Sequence, residues 1–381
     1  MSAEIRERIA SCFAEVQDPR QPINQSHLFI DLLVISICAI VCGADDWEAV
    51  ADYAEAKETW LATFLALPGG PPAHDTFWRV FRHLDAEQFQ RSFVEWVSSM
   101  VELKPGQVVA LDGKQVRRSH DHAEGRAPIH MLSAWATENQ LVLGQLRVDE
   151  KTNQITALPE LLSLLDIKGC IVTVDALGSQ VEVAQTIIDR GGDYLFALKA
   201  NHPLLFEDTE LLFTDLAAAG VQLTPDAVAR DVNKDHGRIE IRQAWVITER
   251  AVLQALRGTE KWPQLTAIVK VEAERVLPDK RQRNTRYYLA SFPLHAQQAI
   301  TMTRHHWHVE NCLHWVLDLA FREDECRIRK DNGPHNFALL RHIALNLLKQ
   351  EQTCKLGIKN KRLKAGWDDG YRLRVLQPLF S

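Results

Sequence analysis

The order of apolar segments between residues 105 and 200 constrains the fold more than any other feature of this sequence. Three runs, VVALDGKQV, IHMLSAWATE and LVLGQLRVDE, follow one another with short polar links. The amphipathic segment ALPELLSLL comes next, and then the apolar run CIVTVDALG, the periodic segment VEVAQTIIDR and the run DYLFALKA. The short apolar runs predict strands and the periodic segments predict helices.

The predicted order is therefore three strands, a helix, a strand, a helix and a strand. Short links between the first three strands favour antiparallel pairing. This order matches the ribonuclease H-like fold, an α/β fold built on a mixed sheet. We predict that residues 105–200 form the first part of such a core.

The first 104 residues predict short helices joined by tight turns, broken at PGGPPAH and KPG. Candidate helix caps are Asp46, Asp75 and Asp85. Short helices of this kind suit a DNA-binding domain, and an ordinary helical bundle fits the pattern equally well. We predict a helical N-terminal domain over residues 1–104, with DNA binding as its expected role.

The remaining sequence predicts two further regions. Residues 201–296 contain the strand-like runs HGRIEIRQAWVIT, QLTAIVKVEAERV and TRYYLAS, with a charged link, LPDKRQRNT, before the last. We interpret this region as a β-rich insertion in the main fold. Residues 297–381 are again helical and more basic, and they predict the second part of the core, with a catalytic helix and a basic C-terminal tail.

The composition is that of a folded protein, with 46% hydrophobic and 25% charged residues. A formal net charge of -6 argues against a protein that only coats nucleic acid, but it allows a DNA enzyme with local basic patches. Seven scattered cysteines without a CxxC pair favour a reducing, cytoplasmic setting. The apolar run from Leu32 to Ala44 is shorter than the roughly 20 residues that span a bilayer, so it predicts a buried core helix and no membrane partner.

Two aspartates stand out within the predicted sheet. Asp112 lies in the first strand, and Asp175 ends the apolar run IVTVD at the carboxyl end of its strand, where α/β sheets tend to carry ligands. A buried carboxylate is costly unless it is paired, and a metal ion would pair it. In the proposed fold the two strands are neighbours, so the two aspartates would face one another. A turn or helix-capping role is the alternative.

Two-metal phosphoryl transfer requires such carboxylates. Mg²⁺ ions take oxygen ligands and flank the scissile phosphate at a separation of roughly 3.5–4 Å. The third ligand is expected from the helical segment HHWHVENCLHWVLDLAFRED, where Glu310 lies among aromatic and apolar residues. Spacing alone leaves three rivals, which are Asp318, Glu323 and Asp324. We expect Mg²⁺ as the cofactor, with Mn²⁺ as a substitute.

The same segment also contains histidines and a cysteine, which are zinc-type ligands. Their crowded spacing fits no single tetrahedral site, so zinc is the weaker hypothesis. These residues are His305, His306, His308, Cys312 and His314.

Long segments of the chain resemble the H-repeat-associated proteins of Rhs elements and the insertion-sequence transposases grouped with them. They are VVALDGKQVRRS, IVTVDALGSQ, DYLFALKAN, HGRIEIR and HWHVENCLHWVLDLAFRED, together with DLLVISICAIVCGADDWE and PPAHDTFWRVFRHLD near the N-terminus. The resemblance covers nearly the whole chain. It implies a helical N-terminal region, a ribonuclease H-like core and a DDE triad that maps onto Asp112, Asp175 and Glu310.

The sequence departs from the wider superfamily around the glutamate. Related transposases often carry Tyr, Arg and Lys at set distances from it, and these positions hold Thr303, His306 and Leu317 here. Trp307 is retained.

Further basic and polar residues near the predicted site are candidate DNA contacts, although such residues are often only solvated. The candidates are Lys114, Arg117, Arg118, Lys199, Asn201, His306, Trp307, Arg327, Arg329 and Lys330. The resemblance implies double-stranded DNA as partner, both element ends and target, and a homodimer on DNA in the bacterial cytoplasm or nucleoid. We therefore expect a transposase that cuts and joins DNA. Alternatives are an inactive DNA-binding descendant and a metal-dependent nuclease without strand transfer.

Overall fold

A single nine-stranded mixed sheet organises the protein in this computed structural model. The structure describes residues 7, 10–120, 125, 127–148, 154–235, 238–276 and 280–380. The strand order across the sheet is β3-β2-β1-β4-β5-β9-β8-β7-β6. The strands are β1 (Val108–Gln115), β2 (His130–Ala136), β3 (Leu141–Val148), β4 (Ile171–Val174), β5 (Asp193–Leu198), β6 (Val228–Asp235), β7 (Arg238–Ile247), β8 (Ala267–Val276) and β9 (Arg281–Ala290).

The first five strands form the ribonuclease H-like part of the sheet. Strands β1, β2 and β3 pair antiparallel, while β4 lies parallel to both β1 and β5. Parallel neighbours need crossover connections, which the helices α6 (Gln154–Ser163) and α7 (Val181–Asp189) provide. The predicted fold class and the predicted order of these elements are confirmed.

The other four strands extend the same sheet. Strand β9 pairs antiparallel with β5, from Leu195↔Ala290 to Leu198↔Tyr287, and β8, β7 and β6 follow as antiparallel neighbours. Strand β6 and the helix α8 (Pro203–Ala218) were not recognised in the sequence. The charged link predicted at LPDKRQRNT is wrong for residues 281–285, which are strand, whereas residues 277–279 lie outside the described residues.

Helices cover the sheet and form the N-terminal region. The α-helices not yet given are α1 (Phe29–Val41), α2 (Trp47–Ala56), α3 (Glu58–Leu61), α4 (His74–His83), α5 (Ala86–Met100), α9 (Arg250–Ala255), α10 (Ala296–Val309), α11 (Trp315–Ala320), α12 (Gly333–Gln350), α13 (Ile358–Trp367) and α14 (Asp369–Phe380). A π-helical turn, Glu310–His314, lies between α10 and α11. Short 3₁₀ turns occur at Pro22–Asn24, Pro225–Ala227, Thr259–Lys261 and Glu323–Glu325.

The apolar run near the N-terminus is the buried helix α1, as predicted. Two of the three expected caps are confirmed, because the Asp46 side chain accepts from Ala49 N–H and the Asp85 side chain accepts from Glu87 and Gln88 N–H. The cap predicted at Asp75 is wrong. Helix α4 begins one residue earlier, at His74, so Asp75 lies in its first turn, where a negative charge favours the helix dipole.

Helix α12 joins the N-terminal helices to the sheet. It packs against α1, α4 and strand β3, and nearly all of its side chains are buried. Asn346 on this helix donates to the Val142 carbonyl and accepts from Val142 N–H, both at 2.9 Å. Strand β3 is the edge of the sheet, so this amide satisfies backbone groups that would otherwise be open to pairing.

The basic C-terminal segment is not simply a solvated face. Arg362 on α13 is 4% exposed and donates to the carbonyls of Ile40 and Ala44 at the end of α1. Lys361 is also buried and donates to the Leu348 carbonyl. These two side chains therefore bind the C-terminal region to the core. No helix in the described part of the chain is long and apolar enough to cross a membrane.

Candidate active site

The sheet places two aspartates side by side. Strands β1 and β4 are parallel, and their last registered pair is Leu111↔Val174, so Asp112 and Asp175 both come directly after it. Side chains in the same register of adjacent strands point to the same face, with the strands about 4.8 Å apart. The predicted adjacency of these two strands is therefore confirmed.

The turn after β4 is fixed by hydrogen bonds around Asp175. Its carboxylate accepts from Gly178 N–H at 3.0 Å, and its carbonyl accepts from the Ser179 hydroxyl at 2.9 Å. The Asn201 amide donates to the Ala176 carbonyl at 2.6 Å, so Asn201, an expected DNA contact, supports this turn. One carboxylate oxygen of Asp175 is thus held by the backbone.

Glu310 reaches the sheet from helix α10. This helix crosses β1 and continues over β6 and β7. The chain was predicted to continue as a regular helix, but Glu310 opens the π-helical turn, a rare feature that is frequent at functional sites. Its side chain is 60% exposed, and one oxygen lies 3.2 Å from His314 Nδ1.

His314 lies between Glu310 and Asp112. It is only 4% exposed, and its Nδ1 atom is 3.5 Å from Asp112 Oδ2. One ligand atom from each of these three residues lies within 4.8 Å of the others. Asp175 does not belong to that tight group, but its charge acts on Asp112. The sequence singled out His314 only as a zinc-type residue, and what it lacked was the position of Asp112 relative to the helix.

The surroundings of Asp112 disfavour its ionised form. The pKa of Asp112 is raised to about 6; burial is the largest cause, and the charges of Asp175 and Glu310 act in the same direction. His314 and the Gly113 N–H act in the opposite direction. A cation would relieve this crowding of carboxylates. The donor set therefore fits a divalent metal ion, with carboxylate oxygens as its main ligands.

The three acidic residues that were alternatives to Glu310 as the third ligand surround Lys114. The Lys114 ammonium group lies 2.5 Å from Asp318, 2.7 Å from Glu323 and 3.5 Å from Asp324. An ammonium group has three donors, so these carboxylates occupy Lys114 and the expected phosphate contact of Lys114 is not supported. The cluster instead ties β1 to the segment after α11.

The other expected DNA contacts lie in different environments. Arg117 is 77% exposed although it contacts Asp324 at 3.2 Å, and the Arg118 carbonyl accepts from Arg329 Nε. His306 hydrogen-bonds the Thr173 hydroxyl at 3.0 Å, and burial lowers the pKa of His306 to about 4. Exposed or half-buried positions are found for Lys199, Trp307, Arg327 and Lys330.

An arginine-rich groove of about 970 Å³ leads away from Glu310 along strands β7, β8 and β9. The Arg286 guanidinium lies 4.3 Å from the centre of the Trp307 ring, close to the end at which Glu310 is found. The lining arginines are Arg242, Arg275, Arg281, Arg283, Arg286 and Arg304. This groove was not predicted from the sequence, because the basic residues after Lys280 were interpreted as a link. The sequence does contain a signal for the groove. Arg281 and Arg283 are two residues apart, and residues at this spacing project from the same face of a strand.

A family match identifies the class of protein that carries this mixed sheet. Residues 102–347 match the family model described as Transposase DDE domain, and residues 10–97 match the model described as DDE_Tnp_1-associated. The chain belongs to the DDE transposase family.

Within that family the chain is similar to the H repeat-associated putative transposase YhhI of Escherichia coli K12. The two are 37% identical over 365 residues, which is 95% of each chain. A protein encoded in the dhlA 3′ region of Xanthobacter autotrophicus is 42% identical over 281 residues, covering 73% of this chain and 92% of that one. A piggyBac transposase synaptic complex with hairpin DNA aligns with a TM-score of 0.44 at 12% identity, over 99% of this chain and 79% of that one.

Proposed function

We propose that this protein is an active transposase that cuts DNA at the ends of its element and joins the freed end to target DNA. Asp112, Asp175 and Glu310 are its catalytic carboxylates. The observation that carries the proposal is that Glu310, at the end of a helix packed on β1, lies close to Asp112, while Asp175 ends the adjacent parallel strand β4. The raised pKa of Asp112 is the expected sign of carboxylates gathered for a cation.

The reaction consists of two phosphoryl transfers. In the first, water attacks a phosphodiester and the bond to the 3′ oxygen breaks, leaving a 3′-hydroxyl. In the second, this hydroxyl attacks a target phosphodiester and displaces its 3′ oxygen. Two bound Mg²⁺ ions would supply activation of the attacking oxygen and charge neutralisation at the leaving oxygen.

The protein's own part is to hold ligands and DNA in place, because most of the catalytic effect in such transfers comes from positioning and electrostatics. The Gly178 N–H fixes one oxygen of Asp175 and leaves the other available. Glu310 is exposed whereas Asp112 and Asp175 are half-buried, so Glu310 can complete an ion's ligands when DNA arrives.

The arginine-rich groove supports DNA as the substrate. It opens beside Glu310, so DNA lying in it would present a phosphate to the carboxylates. Six lining arginines against three glutamates give it a positive balance despite the net charge of -6 for the whole chain. Arg117, exposed on the β1 side of the site, is a further proposed contact.

The proposed assembly is a homodimer on DNA, since two element ends must be joined in one event. Mass measurement of the protein with and without a duplex carrying one element end tests this. A complex containing a single chain would contradict it.

The decisive experiment is cleavage and strand transfer on a labelled duplex that carries the DNA ends flanking the gene, with Mg²⁺ and separately with Mn²⁺. Wild type is compared with Asp175→Asn and with Asp189→Asn, a matched control on the exposed end of α7. We expect cut and joined products from wild type and the control, and neither from Asp175→Asn.

The other outcomes distinguish the alternatives. Cut ends without joined product would identify a nuclease that lacks strand transfer. DNA binding without either product, in both metals, would identify an inactive DNA-binding descendant. Cleavage retained in Asp175→Asn would remove this residue from the site.

A further inference from the structure

His314 has the position of a ligand rather than of a core histidine. Its ring is buried beneath Glu310, and Nδ1 faces carboxylate oxygens of Asp112 and Glu310 at 3.5 and 3.2 Å. Both distances exceed the roughly 2.7–2.9 Å of a good charge-assisted hydrogen bond. A single N–H at Nδ1 can satisfy only one of two acceptors well. A divalent cation between the three side chains could be shared by all of them.

The spacing of the three donors suits one ion. Ligand atoms bound to the same ion at about 2.0–2.3 Å lie roughly 3–4.5 Å apart. In this structure one atom each from Asp112, Glu310 and His314 lies within 4.8 Å of the other two. It is the only such group of three or more within the described part of the chain.

The local backbone explains how a histidine reaches this point. The π-helical turn carries Glu310 at its start and His314 at its end, so both side chains project toward β1. The remaining ring nitrogen, Nε2, is buried without a hydrogen-bond partner among the described residues. Nδ1 is therefore the ring nitrogen of His314 that faces polar groups, and these groups are the carboxylates of Asp112 and Glu310.

We propose that His314 is itself a metal ligand, binding through Nδ1 the ion that Asp112 and Glu310 hold. The inference rests on the proposed metal-dependent function. With His314 as a ligand, one of the two ion positions has both oxygen and nitrogen donors. Nitrogen ligands favour transition-metal ions over Mg²⁺, so we expect this position to bind Mn²⁺ more tightly than Mg²⁺.

Pulsed electron paramagnetic resonance on the full-length protein with Mn²⁺ tests the ligand directly. Electron spin-echo envelope modulation detects nitrogen bound to Mn²⁺, and labelling the histidines with ¹⁵N assigns it to imidazole. We expect histidine nitrogen coupling in wild type and in His305→Gln, a matched control on α10, and its loss in His314→Gln. By calorimetry, Mn²⁺ affinity should fall at least about tenfold in His314→Gln, with a smaller change for Mg²⁺.

Absence of nitrogen coupling in wild type, or its persistence in His314→Gln, would overturn the proposal. Circular dichroism and thermal melting establish that each variant is folded. Should His314→Gln fail to fold, His306→Gln and His130→Gln remove two other imidazoles near the carboxylates. Coupling that survives in both variants supports His314, and coupling that disappears in one of them assigns the nitrogen to that histidine.

These readouts do not depend on transposition. Nitrogen-coupled Mn²⁺ in a protein that cuts no DNA would leave the ligand assignment standing and refute the proposed function. Asp175-dependent cleavage without nitrogen coupling would support the proposed function and refute the assignment of His314 as a ligand.

Discussion

The Lys114 ammonium group lies 2.7 Å from Glu323 Oε2, and this contact joins strand β1 to the segment that follows the Glu310 helix. Lys114 is two residues from Asp112, and Glu323 is also 3.7 Å from Arg341 on α12. Asp112 and Glu310 are therefore carried on neighbouring elements that this cluster holds together. The cluster is a support for the site and lies outside its reacting centre.

We expect Glu323→Gln to destabilise the protein by about 3 kcal/mol at pH 7, because it leaves buried cations short of a partner. Burial opposes the charge of Glu323, but Lys114 and Arg341 together lower its pKa below the ordinary value. A carboxylate whose pKa is lowered on folding stabilises the folded state above its unfolded pKa, roughly 4.3. This stabilisation is lost as the pH falls through the pKa of the folded state. The difference between variant and wild type should thus shrink near pH 4. Urea unfolding at pH 7 and at pH 4 measures this difference in the free energy of unfolding.

The matched control for that measurement is Glu325→Gln, which removes an exposed carboxylate paired with Arg322. It should leave the unfolding midpoint unchanged. Equal stability of Glu323→Gln and wild type at pH 7 would contradict the supporting role of the cluster.

Asp112→Asn should stabilise the metal-free protein at pH 8 while abolishing cleavage. The pKa of Asp112 is raised from 3.8 to about 6, chiefly by burial. A group whose pKa is raised on folding stabilises the folded state below its unfolded pKa, and this stabilisation is lost as the pH rises through about 6. At pH 8 the ionised side chain therefore destabilises the folded protein by roughly 2–3 kcal/mol at most. Thermal melting with a chelator at pH 8 and pH 4 should show a gain at the higher pH only. A loss of stability at pH 8 would argue against crowded carboxylates.

Gly178→Ala should slow cleavage up to about 100-fold with little effect on DNA affinity, since small displacements of a catalytic group are costly. A Cβ at Gly178 would lie 2.8 Å from Leu158 Cδ1 in the core, so either this side chain or the turn that holds Asp175 must shift; we expect the turn to move because Leu158 is fully packed. Gly357→Ala is the control, because a Cβ there meets nothing within 4 Å. Single-turnover cleavage rates compare the two, and an unchanged rate in Gly178→Ala would show that the turn tolerates the shift.

Arg283→Ala should weaken DNA binding several-fold and reduce the slope of log affinity against log salt by about 0.9, as expected for one lost phosphate contact. Arg283 is 68% exposed in the groove, and its nearest acid, Glu274, is 3.9 Å away. Cleavage at saturating DNA should be nearly unchanged. The control is Arg257→Ala, an exposed arginine outside the groove that pairs with Asp208. An unaltered salt slope in Arg283→Ala would place the DNA elsewhere.

The fold of the core could be predicted because its signals are local. Apolar pattern and length predict buried strands such as IVTV and periodic helices such as VEVAQTIID. The order of these elements then limits the possible topologies. Asp112 and Asp175 could be singled out for the same reason, since each interrupts or ends an apolar run. Strand β6 was not found, because a polar, partly exposed strand carries little hydrophobic pattern.

The sequence by itself determined the ribonuclease H-like order of elements and the identity of the catalytic candidates, through apolar periodicity and long segments shared with a known family. Only the tertiary structure decided which charges meet. It paired Lys114 with Glu323, set His314 against Asp112 and gathered arginines from β7, β8 and β9 into one groove beside Glu310. These relationships join residues far apart in the chain, and no local pattern encodes a distance between side chains whose elements meet only on folding.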